Sequence, residues 1–162
     1  MLLRHASLAT VLALLAASPA VAQKVSAAQV PKDVAAKVAA AAPGLTIVEA
    51  ELKEREGRRY YDVEGRLADG SELELDLLET PQGWTVVEIQ RDVAWTAVPK
   101  AARDAAAPAW KGAAPPVRVI ESKQTDGQII YELFVAGKPQ TPALEVAFKD
   151  GAAKVLTETW PH

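Results

Sequence analysis

Tyr60-Tyr61-Asp62-Val63-Glu64-Gly65-Arg66-Leu67-Ala68-Asp69-Gly70-Ser71-Glu72-Leu73-Glu74-Leu75-Asp76-Leu77 alternates apolar and charged side chains on both sides of Asp69-Gly70. A period of two sends successive side chains to opposite faces of a strand, and Asp-Gly is the chemistry of a tight hairpin turn. The stretch therefore predicts two antiparallel strands with Val63, Leu73, Leu75 and Leu77 on one face and Asp62, Glu64, Glu72, Glu74 and Asp76 on the other. Upstream, Val48, Ala50 and Leu52 alternate with Glu49, Glu51 and Lys53 as far as the Gly57 turn. Downstream, Pro81-Gln82-Gly83 opens a fourth strand from Trp84 to Gln90. Before all four, Val34, Ala35, Val38, Ala41 and Ala42 share one helical face. Pro31 suits the first helical turn and Pro43-Gly44 ends it, so a helix is expected from about Pro31 to Ala42.

The pattern then recurs. Val30-Pro31-Lys32 returns as Val98-Pro99-Lys100, Glu49-Ala50-Glu51 as Glu121-Ser122-Lys123, Tyr61-Asp62-Val63 as Tyr131-Glu132-Leu133, and Leu73-Glu74-Leu75 as Leu144-Glu145-Val146, at offsets of 68, 72, 70 and 71 residues. A near-constant offset suggests internal duplication. Strands are expected near Val117 to Gln124, Ile129 to Val135, Ala143 to Phe148 and Lys154 to Trp160. Pro108 should kink or shorten the helix that starts near Pro99. The expectation is an α+β protein of two tandem αββββ units, residues 23–95 and 96–162, with helices on one face of antiparallel sheets.

Composition narrows the function. The chain of 162 residues carries 18 Lys plus Arg against 21 Asp plus Glu, with 2 His and no Cys. A mild acidic excess argues against nucleic acid, whose phosphates are bound by clustered Lys and Arg. Arg4 and His5, the apolar run Ala6 to Ala17 and the small-x-small Ala20-Val21-Ala22 read as a secretory signal peptide over residues 1–22, with export and cleavage near Ala22. The run is well short of the roughly 20 residues of a spanning helix, so no membrane anchor is expected.

These residues resemble a known family. The helix opened by Val-Pro, the Pro-Gly before the first strand, Glu49-Ala50-Glu51, Tyr60-Tyr61-Asp62-Val63 and Asp69-Gly70-Ser71-Glu72-Leu73 are similar to the PepSY-like, beta-lactamase-inhibitor-like family of exported bacterial proteins, over residues 28–160. The resemblance implies non-enzymatic αββββ modules whose tandem sheets can join edge to edge into one eight-stranded concave surface, and some relatives inhibit secreted enzymes. It transfers no catalytic residue. The second copy departs from the pattern at Ala107-Pro108-Ala109-Trp110-Lys111.

The available chemistry is that of carboxylates. Removal of the signal peptide leaves His162 as the only His, and there is no Cys, so Ser-His-acid, Cys-His and Zn sites lack their parts. No catalytic residue and no cofactor is expected. Glu72, Glu74 and Asp76 line one strand face about 7 Å apart. With Glu49, Glu51, Asp62 and Glu64 they make an acidic patch relieved by Lys53 and Arg66. Such a patch is ordinarily a solvated face; its sharper reading is a site for a basic partner or a weakly held Ca²⁺, although no Ca²⁺ loop signature is present. In the second copy Ile130, Phe134 and Ala147 replace Tyr60, Glu64 and Glu74, so that face is either an apolar binding patch or covered by the linker, the tail or the other copy. Trp84, Trp95, Trp110 and Trp160 are core fillers or anchors, with Trp95 and Trp110 the better interface candidates. The expected function is an exported module binding an envelope or extracellular protein through Ile130, Phe134, Trp95, Trp110, Tyr60, Glu72, Glu74 and Asp76, inhibitory or chaperone-like in effect. The alternative is a cation-binding or sensory envelope protein using the acidic face.

Overall fold

The computed structural model describes residues 21–55 and 57–160. Residues 1–20 of the expected signal peptide lie outside the described residues. The strands are β1 (Val21–Ser26), β2 (Thr46–Arg55), β3 (Arg58–Arg66), β4 (Glu72–Thr80), β5 (Gly83–Asp92), β6 (Arg118–Gln124), β7 (Ile129–Phe134), β8 (Leu144–Lys149) and β9 (Ala152–Val155). The helices are α1 (Lys32–Ala41) and α2 (Lys100–Ala106). All nine strands form a single antiparallel sheet in chain order, each paired with its sequence neighbour. Among the described residues no helix is long and apolar enough to cross a membrane.

This corrects the α+β expectation of two αββββ units. The fold is largely β: the two α-helices have 10 and 7 residues, and one continuous nine-stranded sheet runs through the position where two sheets were expected to meet. Joining is direct, because β5 pairs with β6 from Glu88↔Gln124 to Asp92↔Ile120. The ninth strand is β1, whose ladder with β2 runs from Val21↔Glu54 to Ser26↔Glu49. Chain cleavage after Ala22 would leave the pairs from Gln23↔Leu52 onward. At the other end, the strand expected near Lys154 to Trp160 stops at Val155.

Both helices lie on the same face. Val34 and Val38 of α1 pack with Ala50, Tyr61, Val63, Leu75, Leu77 and Trp84, where the Tyr61 and Trp84 rings meet edge to face at 4.9 Å. The second core joins Ala102 and Ala106 of α2 to Val119, Tyr131, Leu133 and Val146. α2 stops at Ala106, ahead of Pro108, whose ring and missing N–H are incompatible with a helix interior. Gly65 interrupts the β3 pattern because a Cβ there would stand 2.6 Å from Leu45 Cγ.

Between the two cores, on the helix face, stands Glu121. Ladder pairing puts it opposite Tyr131, as Leu52 stands opposite Tyr61, so Glu121 takes the place of Leu52 and the true offset in this strand is 69 residues rather than 72. Arg91 Nε and its terminal nitrogen each lie 2.8 Å from Glu121 Oε1, and the Tyr131 hydroxyl donates to Oε2 at 3.2 Å. Burial and the Glu121 charge push the Tyr131 phenol up to about 12.

Leu75→Ala removes a side chain with no solvent exposure from the middle of the first core and should cost about 2–5 kcal/mol in urea unfolding. Val48→Ala, at a position 56% exposed, should stay within about 0.5 kcal/mol. Equal losses would contradict the assignment of Leu75 to the packed face.

Candidate functional site

The helix-free face is built by the alternate side chains of the same strands. Its central row crosses four strands as Glu51, Asp62, Asp76 and Glu88, directly opposite one another in the ladders, and continues to Gln124 on β6. The next row is Glu49, Glu64, Glu74, Gln90, Ser122, Ile130 and Ala147. Asp62, Asp76 and Glu88 are only 6%, 5% and 4% exposed although no helix covers them. Glu88 was not anticipated among these acids. The period starting at Trp84 and Val86 would send it to the helix face, but Leu77 pairs with Val86 and Asp76 with Glu88, so Val87 is an extra residue and the bulge turns Glu88 over.

Buried carboxylates need donors. Lys53 Nζ forms a close ion pair with Asp62 and lies 3.6 Å from Glu51. Glu88 Oε1 accepts from the fully buried Ser122 hydroxyl and, at 2.8 Å, from Gln124 Nε2. Asp76 has no hydrogen bond or ion pair among the described residues, and its Oδ1, like Asp62 Oδ1, is enclosed and unpartnered. One carboxylate oxygen each from Asp62, Glu74 and Asp76 lie within 4.8 Å of one another. Two ionised carboxylates at that distance repel by roughly 3 kcal/mol at an effective dielectric of about 20. That exceeds what a partly exposed lysine pair returns. Desolvation first, and then the charges of Asp62, Glu88 and Glu74, push Asp76 up to about 8 against the pull of Lys53. Glu74 is raised as well, by burial and by Asp62 and Glu64.

The arrangement recurs. By ladder position Asp62↔Asp76 of the first half corresponds to Glu132↔Glu145 of the second, again buried and directly opposed. There the chain after β9 comes back to the pair: the Trp160 N–H donates to Glu145 Oε2 at 2.6 Å.

Two hollows open on this face. One, of about 110 Å³, is lined by Lys24, Glu51, Lys53, Asp62, Glu64 and Glu74, among others. A larger one, of about 230 Å³, is bounded by Glu64, Arg66, Glu72, Glu74, Arg118 and Ile120, with Val48 at its edge. Glu64 and Glu74 line both. A carboxyl that keeps its proton at neutral pH can act as a general acid only within hydrogen-bond reach of a substrate. Asp76 lines neither of these two hollows; what the buried row offers is a strong local field and carboxylate oxygens without donors.

Of the residues expected to contact a partner, Glu74 and Asp76 join the cluster. Glu72 is exposed and ion-paired with Arg66. Tyr60 is half-buried on the same face, with the Arg55 guanidinium 4.7 Å from its ring centre. Of the two readings of the apolar face, the covered one fits the burial: Ile130 is 0% and Phe134 3% exposed, with the Arg118 guanidinium 5.4 Å from the Phe134 ring. Trp95 and Trp110 pack against the second core on the helix face, and the Trp110 indole N–H donates to the Ala114 carbonyl at 2.8 Å. They share no surface with the acids.

A carboxyl raised from 3.8 to about 8 binds its proton more tightly folded than unfolded. Its contribution to stability is therefore complete below about pH 4 and is lost as pH rises toward 8. Glu74 acts in the same direction. Asp76→Asn keeps the shape and removes the charge, so it should raise unfolding free energy at pH 8 by a few kcal/mol and flatten the decline between pH 5 and pH 8. Urea titrations at pH 5, 6, 7 and 8 measure this; a variant whose pH profile parallels that of the parent protein contradicts it.

In comparison with known proteins, no family model, no curated protein and no solved structure matches the chain, so its likeness to PepSY-like proteins rests on the short motifs quoted above.

Proposed function

We propose that the protein is an exported, non-enzymatic binding module whose helix-free face receives a basic segment of an envelope or extracellular protein, inhibiting or holding that partner. The observation that carries this reading is the acidic excess on β2, β3 and β4 around the two hollows. Glu49, Glu64 and Glu72 are exposed and Glu51 and Glu74 half-exposed there, against Lys24, Lys53 and Arg66, with Arg91 and Arg118 at the β5–β6 side of the larger hollow. Opposed like charges on neighbouring strands cost stability when nothing binds them, and a lysine- or arginine-bearing loop would turn that repulsion into attraction. Such complementarity speeds encounter and makes it sensitive to salt. The apolar run Ala6 to Ala17 and Ala20-Val21-Ala22 support export of the chain.

Affinity capture from the native envelope extract tests this, with the intact chain as bait and a Glu49→Lys, Glu64→Lys double variant as control. The expected result is a protein retained by the intact bait, released by moderate salt, lost with the variant, and joined by carboxyl-to-lysine zero-length cross-links at Glu49, Glu64 or Glu72. Retention by both baits, or cross-links only on the helix face, contradicts the assignment.

A further inference from the structure

Four of the buried carboxylates of the sheet have a donor or a cation on at least one oxygen. Lys53 holds Asp62, Ser122 and Gln124 hold Glu88, Arg91 and Tyr131 hold Glu121, and the Trp160 N–H reaches Glu145. Glu132 has an interaction of its own. Asp76 has no hydrogen bond or ion pair among the described residues, its Oδ1 is enclosed without a donor, and one of its carboxylate oxygens lies within 4.8 Å of an oxygen of Asp62 and of Glu74. Lys53 pairs with Asp62 through Oδ2, so Asp62 Oδ1 is also free of a donor.

We propose that Asp62, Glu74 and Asp76 form a binding site for a divalent calcium-sized cation, with Asp62 Oδ1 and Asp76 Oδ1 among its ligands. The ligand set is oxygen only, which suits a hard cation and gives a thiophilic or imidazole-seeking metal nothing it prefers. Two oxygens on one ion are separated by at most twice the metal–oxygen distance, about 4.6–5.2 Å for Ca²⁺. The three oxygens, all within 4.8 Å of one another, are compatible with that span. The larger, more flexibly coordinated ion also suits a site fixed by a rigid sheet better than Mg²⁺, which demands near-ideal octahedral geometry. Three protein ligands leave the rest of the shell to water. The adjoining hollow of about 110 Å³, lined by Asp62 and Glu74, has room for several waters and gives a path from solvent. Lys53 remains on Asp62 Oδ2 as a competing charge, and Glu64 and Glu88 add negative potential from β3 and β5. With one lysine opposed and no loop to wrap the ion, affinity should be on the order of 0.1–1 mM, the range of extracellular calcium modules. The inference goes beyond the protein-partner reading and stands without it, since the isolated chain suffices to test it.

Thermal unfolding of the chelator-treated full chain at pH 7.5 is the test, with CaCl₂, MgCl₂ and NaCl compared at matched ionic strength. Calcium should raise Tm, by about 3–6 °C at ten times its Kd and further with the logarithm of its concentration, with magnesium clearly weaker and sodium without effect. Asp76→Asn should unfold at a higher temperature than the parent in the absence of calcium, showing that it folds, and should lose the calcium response. Glu72→Gln, outside the cluster, should keep it. An equal response to magnesium or to sodium, no calcium response in the intact chain, or an undiminished response in Asp76→Asn overturns the proposal.

Discussion

Three carboxylates from three adjacent strands, Asp62, Asp76 and Glu88, stand in one buried row on a sheet face that no helix covers. Repulsion and desolvation within that row are the constraint to which the surrounding side chains conform. Lys53 reaches across from β2, and Ser122 and Gln124 reach back from β6. The last two span the β5–β6 ladder, so the same contacts that satisfy Glu88 also help fasten the two halves of the sheet. Asp76, at the centre, is relieved by no donor and meets its neighbours' charges with a raised proton affinity.

The helix face follows the opposite logic. Two apolar cores sit side by side under α1 and α2, and the strip between them carries Arg91 and Glu121 in place of aliphatic side chains. A charged pair with a tyrosine hydroxyl on its second oxygen satisfies both groups and marks where one core ends and the next begins. The continuous β5–β6 ladder means that the boundary between the cores is not a boundary in the sheet.

Much of this was legible in residues 46–92. Alternation around Asp69-Gly70 identified the strands, their turn and the shared face of Asp62, Glu64, Glu74 and Asp76, because a period of two carries facing information directly. What was hidden had local causes. The bulge at Val87 inverts the face of Glu88, and periodicity has no means of marking an extra residue. Short identities misaligned Glu121 by three residues, concealing that a charge occupies the place of Leu52. β1 forms only against a partner strand, and the burial of Ile130 and Phe134 on the helix-free face could not be read from alternation, which leaves an apolar face open or covered alike. The α+β class was overturned because helices of 10 and 7 residues are minor beside a single nine-stranded sheet.

The account rests on Asp76 holding a proton where an ordinary aspartate has lost it. Carbon-13 NMR of the aspartate side-chain carboxyls, with Asp76 assigned by its Asn variant and divalent cations removed, reads that proton directly. The account predicts an Asp76 resonance that stays in its protonated position through pH 6 and titrates with a midpoint near 8. A midpoint near 4 would show that the row carries its full charge at neutral pH, and would contradict the constraint from which the site has been built.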